Sequence, residues 1–299
     1  MTQRTTIAAD PYWSREHDHW EAVERADPVV WSDEPSPLSG REMAAFDRDG
    51  YHIAEQLFEA HDAAELLAEA KRLTEAANPA SPETIVEPQS HAVRSIFRVH
   101  RTSEVFRAVC KDPRTVDLVQ HILDDEVYVH QSRINFKPAF DGKAFFWHSD
   151  FETWHIEDGM PRMRAVSVSL NLTENNEFNG PLMVVPGSHR WFIRCVGATP
   201  DQHFKQSLRK QEYGVPSREA MQMLVQRGGI VAPKGPPGSA LFFECNLMHG
   251  SAGNLSPYSR TNLFVVYNSV KNAVVDPFGN RPPRPQFLAE RDIVPVSQL

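Results

Sequence analysis

The sequence is poor in cysteine, and this scarcity excludes one way of holding a chain together. Only three cysteines occur in 299 residues, at Cys110, Cys195 and Cys245. An odd number of widely separated cysteines does not predict a disulfide framework, so we expect a cytoplasmic protein with reduced, buried thiols. Cys245 lies close to His249 in the sequence and could be a soft metal ligand, but a buried core thiol is the favoured interpretation.

Long apolar runs and an excess of basic charge are also missing. No stretch approaches the roughly 20 apolar residues that a membrane-spanning helix needs, and the first residues lack the apolar core of a secretory signal. The formal net charge is −8, from 39 acidic and 31 basic residues. A net acidic surface repels phosphate backbones, so we expect neither a nucleic acid nor a membrane as a partner.

The composition that is present suits a globular protein. With 41% hydrophobic residues, the chain can bury a substantial core as one large domain or two small ones. Residues 1–40 are polar and interrupted by prolines, which predicts an N-terminal arm or lid. Residues 41–299 are expected to form a single domain, and the polar, partly helical pattern around 200–227 predicts an insertion in it.

Helical periodicity occurs early in the predicted domain. Apolar residues recur at three- and four-residue intervals over 61–77, and an Asn-Pro pair ends that pattern. Shorter helices are predicted over 103–109 and 114–123. The Pro- and Ser-rich stretch 79–92 is predicted to be a loop.

From Val127 the sequence period changes to two, which is typical of strands. Residues 127–137 alternate polar and apolar side chains, and Gly- and Pro-containing turns separate the later candidates. Further strands are predicted at 144–148, 165–172, 182–185, 240–244 and 262–267. This pattern predicts a mainly β protein with flanking helices, built as a sandwich or as a double-stranded β-helix of the jelly-roll or cupin kind.

The segment His148-Ser149-Asp150, together with the distant His249, has the composition of a metal site. Two imidazoles and one carboxylate form the facial triad that holds non-haem Fe(II) and leaves coordination positions open. In an extended strand, side chains two residues apart point to the same face, so His148 and Asp150 could reach one ion. A zinc site with the same ligands remains an alternative, because Zn²⁺ accepts them with a water in the fourth position.

The residues around this motif strengthen the hypothesis of a site. Residues 146–161 contain two Trp, two Phe, two His and four acids, although an aromatic core edge flanked by solvated acids is the alternative. His155 is interpreted as a hydrogen-bonded or surface imidazole. His189, in a Pro-Gly-Ser-His turn, is interpreted as structural.

Two further groups are suited to a carboxylate ligand. A guanidinium such as that of Arg260 can hold a carboxylate through two hydrogen bonds, and a 2-oxo acid that chelates a metal needs such an anchor. Ser251 follows His249 by two residues and would point to the same face. A solvated surface arginine is the alternative interpretation.

One predicted strand carries polar groups at every second position. These are Gln131, Arg133, Asn135 and Lys137. One strand face could present all four towards a site, or they could form the wet face of an edge strand.

Together these motifs resemble the phytanoyl-CoA dioxygenase superfamily of Fe(II)- and 2-oxoglutarate-dependent oxygenases. The resemblance spans residues 41–268, from Phe46-x-x-Asp-Gly-Tyr through the triad to Arg260. Within that superfamily, the run FWHSDFETWHIEDGMPRMRA from Phe146 to Ala165 resembles the signature of the ectoine hydroxylases.

The resemblance implies a jelly-roll core, a cytoplasmic homodimer, and conversion of ectoine to 5-hydroxyectoine, with 2-oxoglutarate and O2 giving succinate and CO2. The implied iron ligands are His148, Asp150 and His249. The implied contacts to 2-oxoglutarate are Lys137, Asn135, Ser251 and Arg260. The implied contacts to ectoine are Gln131, Trp154, Ser167, Phe243 and Phe264. Three alternatives stay open: an oxygenase of another small molecule or acyl thioester, a zinc hydrolase, and a binding protein without catalysis.

Overall fold

Antiparallel sheets dominate the computed structural model, which describes residues 10–87, 92–200 and 213–299. The strands are β1 Glu21–Glu24, β2 Tyr51–Ala54, β3 Thr84–Val86, β4 Val93–Phe97, β5 Val127–Lys137, β6 Phe145–His148, β7 Ala165–Asn171, β8 Leu182–Val184, β9 Trp191–Arg194, β10 Ala240–Glu244, β11 His249–Ser251 and β12 Arg260–Ser269. Seven of them form one sheet in the order β2-β10-β7-β12-β5-β4-β3. A smaller sheet has the order β6-β11-β8, and β1 pairs with β9.

The helices lie mainly before β5 and after the first strand of the small sheet. They are α1 Gly40–Asp49, α2 Ala60–Glu75, α3 Val99–Thr102, α4 Glu104–Cys110, α5 Pro113–Leu123, α6 Asp150–Thr153 and α7 Arg218–Gly228, with a π-helix at Trp154–Asp158. Among the described residues, no helix is both long enough and apolar enough to cross a membrane.

Local sequence signals set the helix ends. Ser39 and Glu42 form a capping box at the start of α1, which satisfies backbone donors that the helix cannot pair. Gly50 ends α1 with φ 81°, and a Cβ there would lie 2.4 Å from Nδ1 of His189. A glycine is therefore required both by the backbone conformation and by the packing of the His189 ring.

The main core lies between the helices and one face of the large sheet. Side chains from α1, α2, α4 and α5 pack against alternate residues of β7, such as Val166 and Val168, and of β12, such as Leu263 and Val265. The opposite face of the large sheet turns towards the small sheet, where Phe243 and neighbouring apolar residues form a second cluster. The period-two pattern therefore separates a face covered by helices from a face directed towards the small sheet.

Most predicted elements are present, and two interpretations were wrong. The predicted loop over 79–92 contains β3, whose short run Thr84-Ile85-Val86 is stabilised by pairing with β4, and residues 88–91 lie outside the described part of the chain. The edge-strand alternative for residues 127–137 is also wrong, because β5 lies between β12 and β4. Of the predicted insertion, residues 201–212 lie outside the described residues, and α7 packs Ala220 and Leu224 against the strand region after β8.

The N-terminal residues from Asp10 onward contact the rest of the protein through a strand pair, buried rings and hydrogen bonds. Strand β1 pairs antiparallel with β9, and the Tyr12 ring is buried beside Phe151 and Phe192. The Tyr12 hydroxyl donates to Asp27 Oδ2 at 2.7 Å. These contacts place the N-terminal segment against β9 and α6.

Candidate active site

His148, Asp150 and His249 lie together at one end of the small sheet. His148 is the last residue of β6, Ser149 is extended with φ −103° and ψ 132°, and Asp150 opens α6. His249 opens β11 and is the direct cross-strand partner of His148. One ligand atom from each of His148, Asp150 and His249 lies within 4.8 Å of the other two, and all three residues are buried. The three side chains that the sequence analysis singled out therefore lie together, although β6 ends at His148 and Asp150 belongs to α6 and not to the predicted strand.

The two imidazoles are oriented by the same local device. Nδ1 of His148 lies 2.8 Å from the carbonyl oxygen of Phe146, and Nδ1 of His249 lies 2.9 Å from that of Leu247. A carbonyl only accepts, so each Nδ1 carries the proton and donates. The unprotonated Nε2 atoms then face Asp150, at 3.6 Å and 3.9 Å from its carboxylate oxygens. This arrangement fixes the tautomer that a metal ligand needs.

The ionisation states also suit a cation. Burial alone would raise the pKa of Asp150, but the interactions with His249 and His148 outweigh it and lower the pKa below its usual range. Burial, followed by repulsion from His148, lowers the pKa of His249 to about 4. A carboxylate faces a neutral His249 imidazole at neutral pH, as metal ligation requires. Ser167 donates to Asp150 Oδ2 at 3.3 Å, which further holds this oxygen in place.

A buried cationic pocket, lined by Lys137, Arg260 and Ser251, lies beside the triad. Lys137 and Arg260 are cross-strand partners at the ends of β5 and β12. Lys137 Nζ donates to Ser251 Oγ at 2.8 Å and to the carbonyl oxygen of Ala252 at 2.5 Å. Gly180 leaves room for this lysine, because a Cβ there would lie 2.9 Å from Lys137 Cδ.

Glu87 pairs with Arg94 in this pocket, but Arg260 and Lys137 have no ion-pair partner among the described residues. Arg260 is 5% exposed, yet its Nε and Nη1 have no hydrogen-bond partner among the described residues. Burial lowers the pKa of Arg260 to about 10, and burial with repulsion from Arg260 and Arg94 lowers the pKa of Lys137 to about 6. Unpaired buried donors are costly, so the pocket is built for an anion that supplies the missing acceptors.

The same pocket contains several predicted residues and some that were missed. His148, His249, Asn135 and Phe264 line it together with the cationic residues. Sequence reasoning gave no role to Glu87, Arg94, Phe97, Lys143, Phe145 and Leu182, which also line it. Phe145 directly precedes the aromatic run that was recognised. Arg94 and Phe97 come from β4, a strand that the period-two signal did not reveal.

The predicted substrate residues do not all meet in one cavity. The Phe243 ring meets His249 edge-on with centroids 5.1 Å apart, and the Phe264 ring lies 5.0 Å from the guanidinium of Arg133. Gln131 precedes Arg133 by two residues in β5. Its Oε1 accepts a hydrogen bond from Arg133, and its Nε2 donates to the carbonyl oxygen of Leu288 at 2.6 Å. Gln131 is therefore joined to the pocket through Arg133, which is partly buried and lines the pocket.

Trp154 lies in a neighbouring cluster. It is 3% exposed and packs with Tyr12, Phe151 and Met160, while its ring meets His130 edge-on at 5.3 Å. His130 is an extra residue in β5, because Gln131 pairs with Val266 and Val129 pairs with Tyr267. This bulge breaks the alternation of β5 only before Gln131, so Gln131 keeps the face of Arg133, Asn135 and Lys137 and lies further along the strand from the pocket than they do.

The acids that follow Asp150 are buried in ion pairs, so the interpretation of solvated acids is wrong. Arg15 pairs with Glu152 and Glu157, and Arg284 pairs with Asp158. His155 is buried, with Nδ1 2.8 Å from the Met160 carbonyl oxygen and Nε2 3.0 Å from Asp10, as expected for a hydrogen-bonded imidazole. His189 is likewise hydrogen-bonded, to the carbonyl oxygen of Asp47. Cys245 is fully buried, as expected for a core thiol.

Comparison with known proteins gives the family. The model of the phytanoyl-CoA dioxygenase family matches residues 46–262, which include the triad and Arg260. An ectoine dioxygenase from Sphingopyxis alaskensis is 54% identical over 287 residues, covering 94% of this chain and 93% of that protein. The chain belongs to the phytanoyl-CoA dioxygenase family. The superfamily resemblance recognised in the sequence is thus confirmed.

Two solved structures from this family have the same architecture. EctD from S. alaskensis with 2-oxoglutarate and 5-hydroxyectoine matches with a TM-score of 0.87 and 47% identity, covering 97% of this chain and 98% of that one. EctD from the same organism with bound Fe matches with a TM-score of 0.84 and 48% identity, covering 94% and 95%. The predicted double-stranded β-helix core is therefore confirmed.

Proposed function

We propose that this protein is an ectoine hydroxylase that depends on Fe(II) and 2-oxoglutarate. It converts ectoine, 2-oxoglutarate and O2 into 5-hydroxyectoine, succinate and CO2. The observation that carries the proposal is the buried triad placed beside an unbalanced cationic pocket, in a chain 54% identical to an ectoine dioxygenase. Hydroxylation of a compatible solute gives the enzyme a role in protection from osmotic stress.

His148, Asp150 and His249 would hold the iron. Their donor set, two imidazole Nε2 atoms and one carboxylate, fits Fe(II) and leaves room for a bidentate keto acid and O2. When bound, Fe(II) supplies the activation of O2 that the protein groups lack, with 2-oxoglutarate as the co-substrate that is oxidised to succinate and CO2. The protein holds both imidazoles in the ligating tautomer and excludes water by burying all three ligands.

The cationic pocket would hold 2-oxoglutarate. Arg260 offers two unpaired donors to a carboxylate, and Lys137 would add a second positive charge once it takes up a proton beside the bound anion. Ser251 lies within hydrogen-bond distance of Lys137, and Asn135 lines the same pocket with its Oδ1 accepting from Ser95. These four residues would fix the co-substrate with its keto acid end directed at the triad.

Ectoine would lie close to the triad, beside the part of the pocket that Arg133 and Phe264 line. The ring of ectoine carries a delocalised amidinium and a carboxylate, and an aromatic face attracts such a cation by ~1–2 kcal/mol when it is desolvated. We assign the substrate contacts to Gln131, Trp154, Ser167, Phe243 and Phe264. Arg133, partly buried between Gln131 and Phe264, adds a positive charge suited to the substrate carboxylate.

Incubation of the iron-loaded protein with ectoine, 2-oxoglutarate and O2 tests this function. We expect one added oxygen in ectoine by mass spectrometry and one succinate released per product. A panel of other small molecules and acyl thioesters distinguishes a different substrate, because only the true substrate should strongly stimulate succinate release. Tight zinc without oxygen consumption would instead indicate a hydrolase, although a hydrolase does not need the anion pocket around Arg260.

We also propose that the enzyme is a cytoplasmic homodimer, with residues 1–40 as an arm on a single domain formed by 41–299. The three cysteines are buried and unpaired, which suits a reducing compartment. Light scattering after size-exclusion chromatography tests the dimer, since a mass near twice 33.9 kDa is expected.

A further inference from the structure

The residues that follow the iron ligand Asp150 form a buried acidic segment, Asp150–Asp158. It consists of α6 and the π-helix, and it carries Asp150 at its start and Trp154 at the junction of the two helices. π-helices are rare and occur frequently at functional sites, because their backbone geometry needs support from outside the helix. What holds this segment therefore also places one metal ligand and one aromatic residue of the proposed substrate site.

Arg15 spans the junction between the two short helices. Its Nε and Nη2 donate to the two carboxylate oxygens of Glu152, in α6, at 2.9 Å and 2.6 Å. Its Nη1 donates to Glu157, in the π-helix, at 2.6 Å. The side chains of Arg15 and Glu152 are each 2% exposed. One planar guanidinium thus joins both halves of the acidic segment, a geometry that a lysine cannot reproduce.

Arg15 itself is held by several independent contacts. Its φ of 61° is a left-handed conformation that residues other than glycine seldom adopt, and its amide donates to the carbonyl oxygen of Cys195 at 3.0 Å. The preceding Ser14 donates to Glu152 at 2.6 Å and accepts from the Cys195 amide. Gly214 packs so closely that a Cβ there would lie 2.5 Å from Arg15 Nη2. Such strain persists where surrounding contacts over-determine it, commonly at functional sites.

The far end of the acidic segment is fixed separately. Gly159 ends the π-helix with φ 82°, and a Cβ there would lie 2.0 Å from the carbonyl oxygen of Val275. Arg284 pairs with Asp158 at 2.5 Å. The α6 half is also held by the Phe151 amide, which donates to the Cys245 carbonyl oxygen at 2.9 Å, and the Arg15 bridge links this half to the fixed end.

We propose that Arg15 is a positioning residue of the enzyme, which sets Asp150 and Trp154 relative to His148 and His249 by bridging Glu152 and Glu157. The inference rests on the proposed function. Arg15 touches neither the triad nor the cationic pocket, so it acts through the acidic segment. Because 2-oxoglutarate would be held by β5 and β12, loss of the bridge should disturb the metal and the substrate and leave the co-substrate contacts intact.

The test compares Arg15→Lys with Arg194→Gln. Arg194 also fastens the N-terminal segment, through Glu21 and the carbonyl oxygen of Pro11, but does not contact the acidic segment. We expect Arg15→Lys to remain folded, to lower kcat for hydroxylation at least tenfold, and to lower the yield of hydroxyectoine per succinate at least threefold. The KM for 2-oxoglutarate should stay within twofold, and Arg194→Gln should match the wild type in all of these values.

A second readout does not depend on ectoine. The visible charge-transfer absorption of Fe(II) with 2-oxoglutarate, followed during anaerobic iron titration, should need at least fivefold more iron for half-saturation in Arg15→Lys. If the wild type gives this band but does not hydroxylate ectoine, the proposed function fails while the positioning role is still tested by the titration.

Glu157→Gln keeps the test decisive if Arg15→Lys does not fold. This variant retains the two bonds between Arg15 and Glu152 and weakens the link to the π-helix, together with the 4.0 Å contact between Glu157 and Arg284. We expect a KM for ectoine raised at least fivefold with an unchanged iron titration. The proposal would be overturned if the folded variants kept the wild-type yield of hydroxyectoine per succinate, the wild-type iron titration and the wild-type KM for ectoine. Losses in Arg194→Gln as large as those in Arg15→Lys would also overturn it.

Discussion

The triad and the cationic pocket are adjacent, but the protein satisfies the hydrogen bonds of the triad and leaves donors of the pocket without partners. Around the triad, each imidazole is hydrogen-bonded to a backbone carbonyl, and Asp150 is held by Ser167 and by its histidine neighbours. In the cationic pocket, Arg260 keeps two donors without partners among the described residues, and Lys137 is buried beside it. The proposed metal ligands are therefore pre-oriented by the chain, whereas the unpaired donors of the pocket suit an anionic ligand.

This contrast matches the two roles in the proposed reaction, which are metal ligation and recognition of the co-substrate. Ligands that must present lone pairs in one geometry benefit from fixed hydrogen bonds. A pocket that must recognise a dianion benefits from donors that have no competing protein acceptor. The predictions below alter one side of the contrast at a time.

The largest effect is expected at the triad. Replacement His148→Ala removes one of three ligands, and we expect iron binding to be lost and succinate formation to fall on the order of a thousandfold or more. Metal analysis and a succinate assay measure both. Thermal unfolding of the metal-free variant should stay close to that of the wild type, and full turnover in it would contradict the ligand assignment.

The next largest effect is expected in the cationic pocket. Arg260→Met replaces the unpaired guanidinium by an apolar side chain of similar length, so 2-oxoglutarate should lose about 3 kcal/mol of charge-assisted bonding, roughly a hundredfold in Kd. Because a buried, uncompensated cation is costly, the ligand-free variant should be as stable as the wild type or more stable. Calorimetry and thermal unfolding measure the two quantities, and a large loss of stability would count against an unbalanced pocket.

The protonation of Lys137 should make the stability of the ligand-free protein depend on pH. Its native pKa is lowered to about 6 by burial and by Arg260 and Arg94, whereas an unfolded lysine titrates near ~10.4. Between these values the unfolded chain binds more protons, so the stability of the ligand-free protein should rise as pH increases from about 6 to about 10.

An anion bound beside Lys137 should raise its pKa again. Binding of 2-oxoglutarate near pH 8 should therefore take up protons, which calorimetry in buffers of different ionisation enthalpy detects. Lys137→Met should abolish this uptake. Proton release on binding to the wild type would show that another group dominates.

The smallest effect is expected from Ser167→Ala, which removes the 3.3 Å hydrogen bond to Asp150. We expect a weakening of iron binding by about tenfold or less, with the KM for 2-oxoglutarate unchanged, as is common for groups that support a metal ligand. A larger change in the co-substrate KM than in iron affinity would place Ser167 in the pocket and not beside the metal.

The sequence predicted those parts of the site that depend on local spacing. His148 and Asp150 share a face because Ser149 is extended, and Arg260 begins the strand after His249 in the chain. The regular strands with period two were found for the same reason. The short strand β3 was missed, because three residues carry too little periodic signal and are stabilised by pairing with β4.

The parts that sequence reasoning missed depend on contacts between distant residues. The bulge at His130, which breaks the alternation of β5 before Gln131, is visible only once β5 pairs with β12. The burial of Glu152 depends on Arg15, which lies far away in the chain. A single sequence gives no signal for either pairing, so the acids could equally be interpreted as a solvated surface.

The most direct test of the central claim is isotope analysis of the product. The claim is that one buried site holds iron through the triad and 2-oxoglutarate through the adjacent cationic pocket. With ¹⁸O2, we expect 5-hydroxyectoine to carry one labelled oxygen and succinate another, in equal amounts, and Arg260→Met to lose both together. Hydroxylation that continues without 2-oxoglutarate, or succinate formation that Arg260→Met leaves unchanged, would contradict the claim.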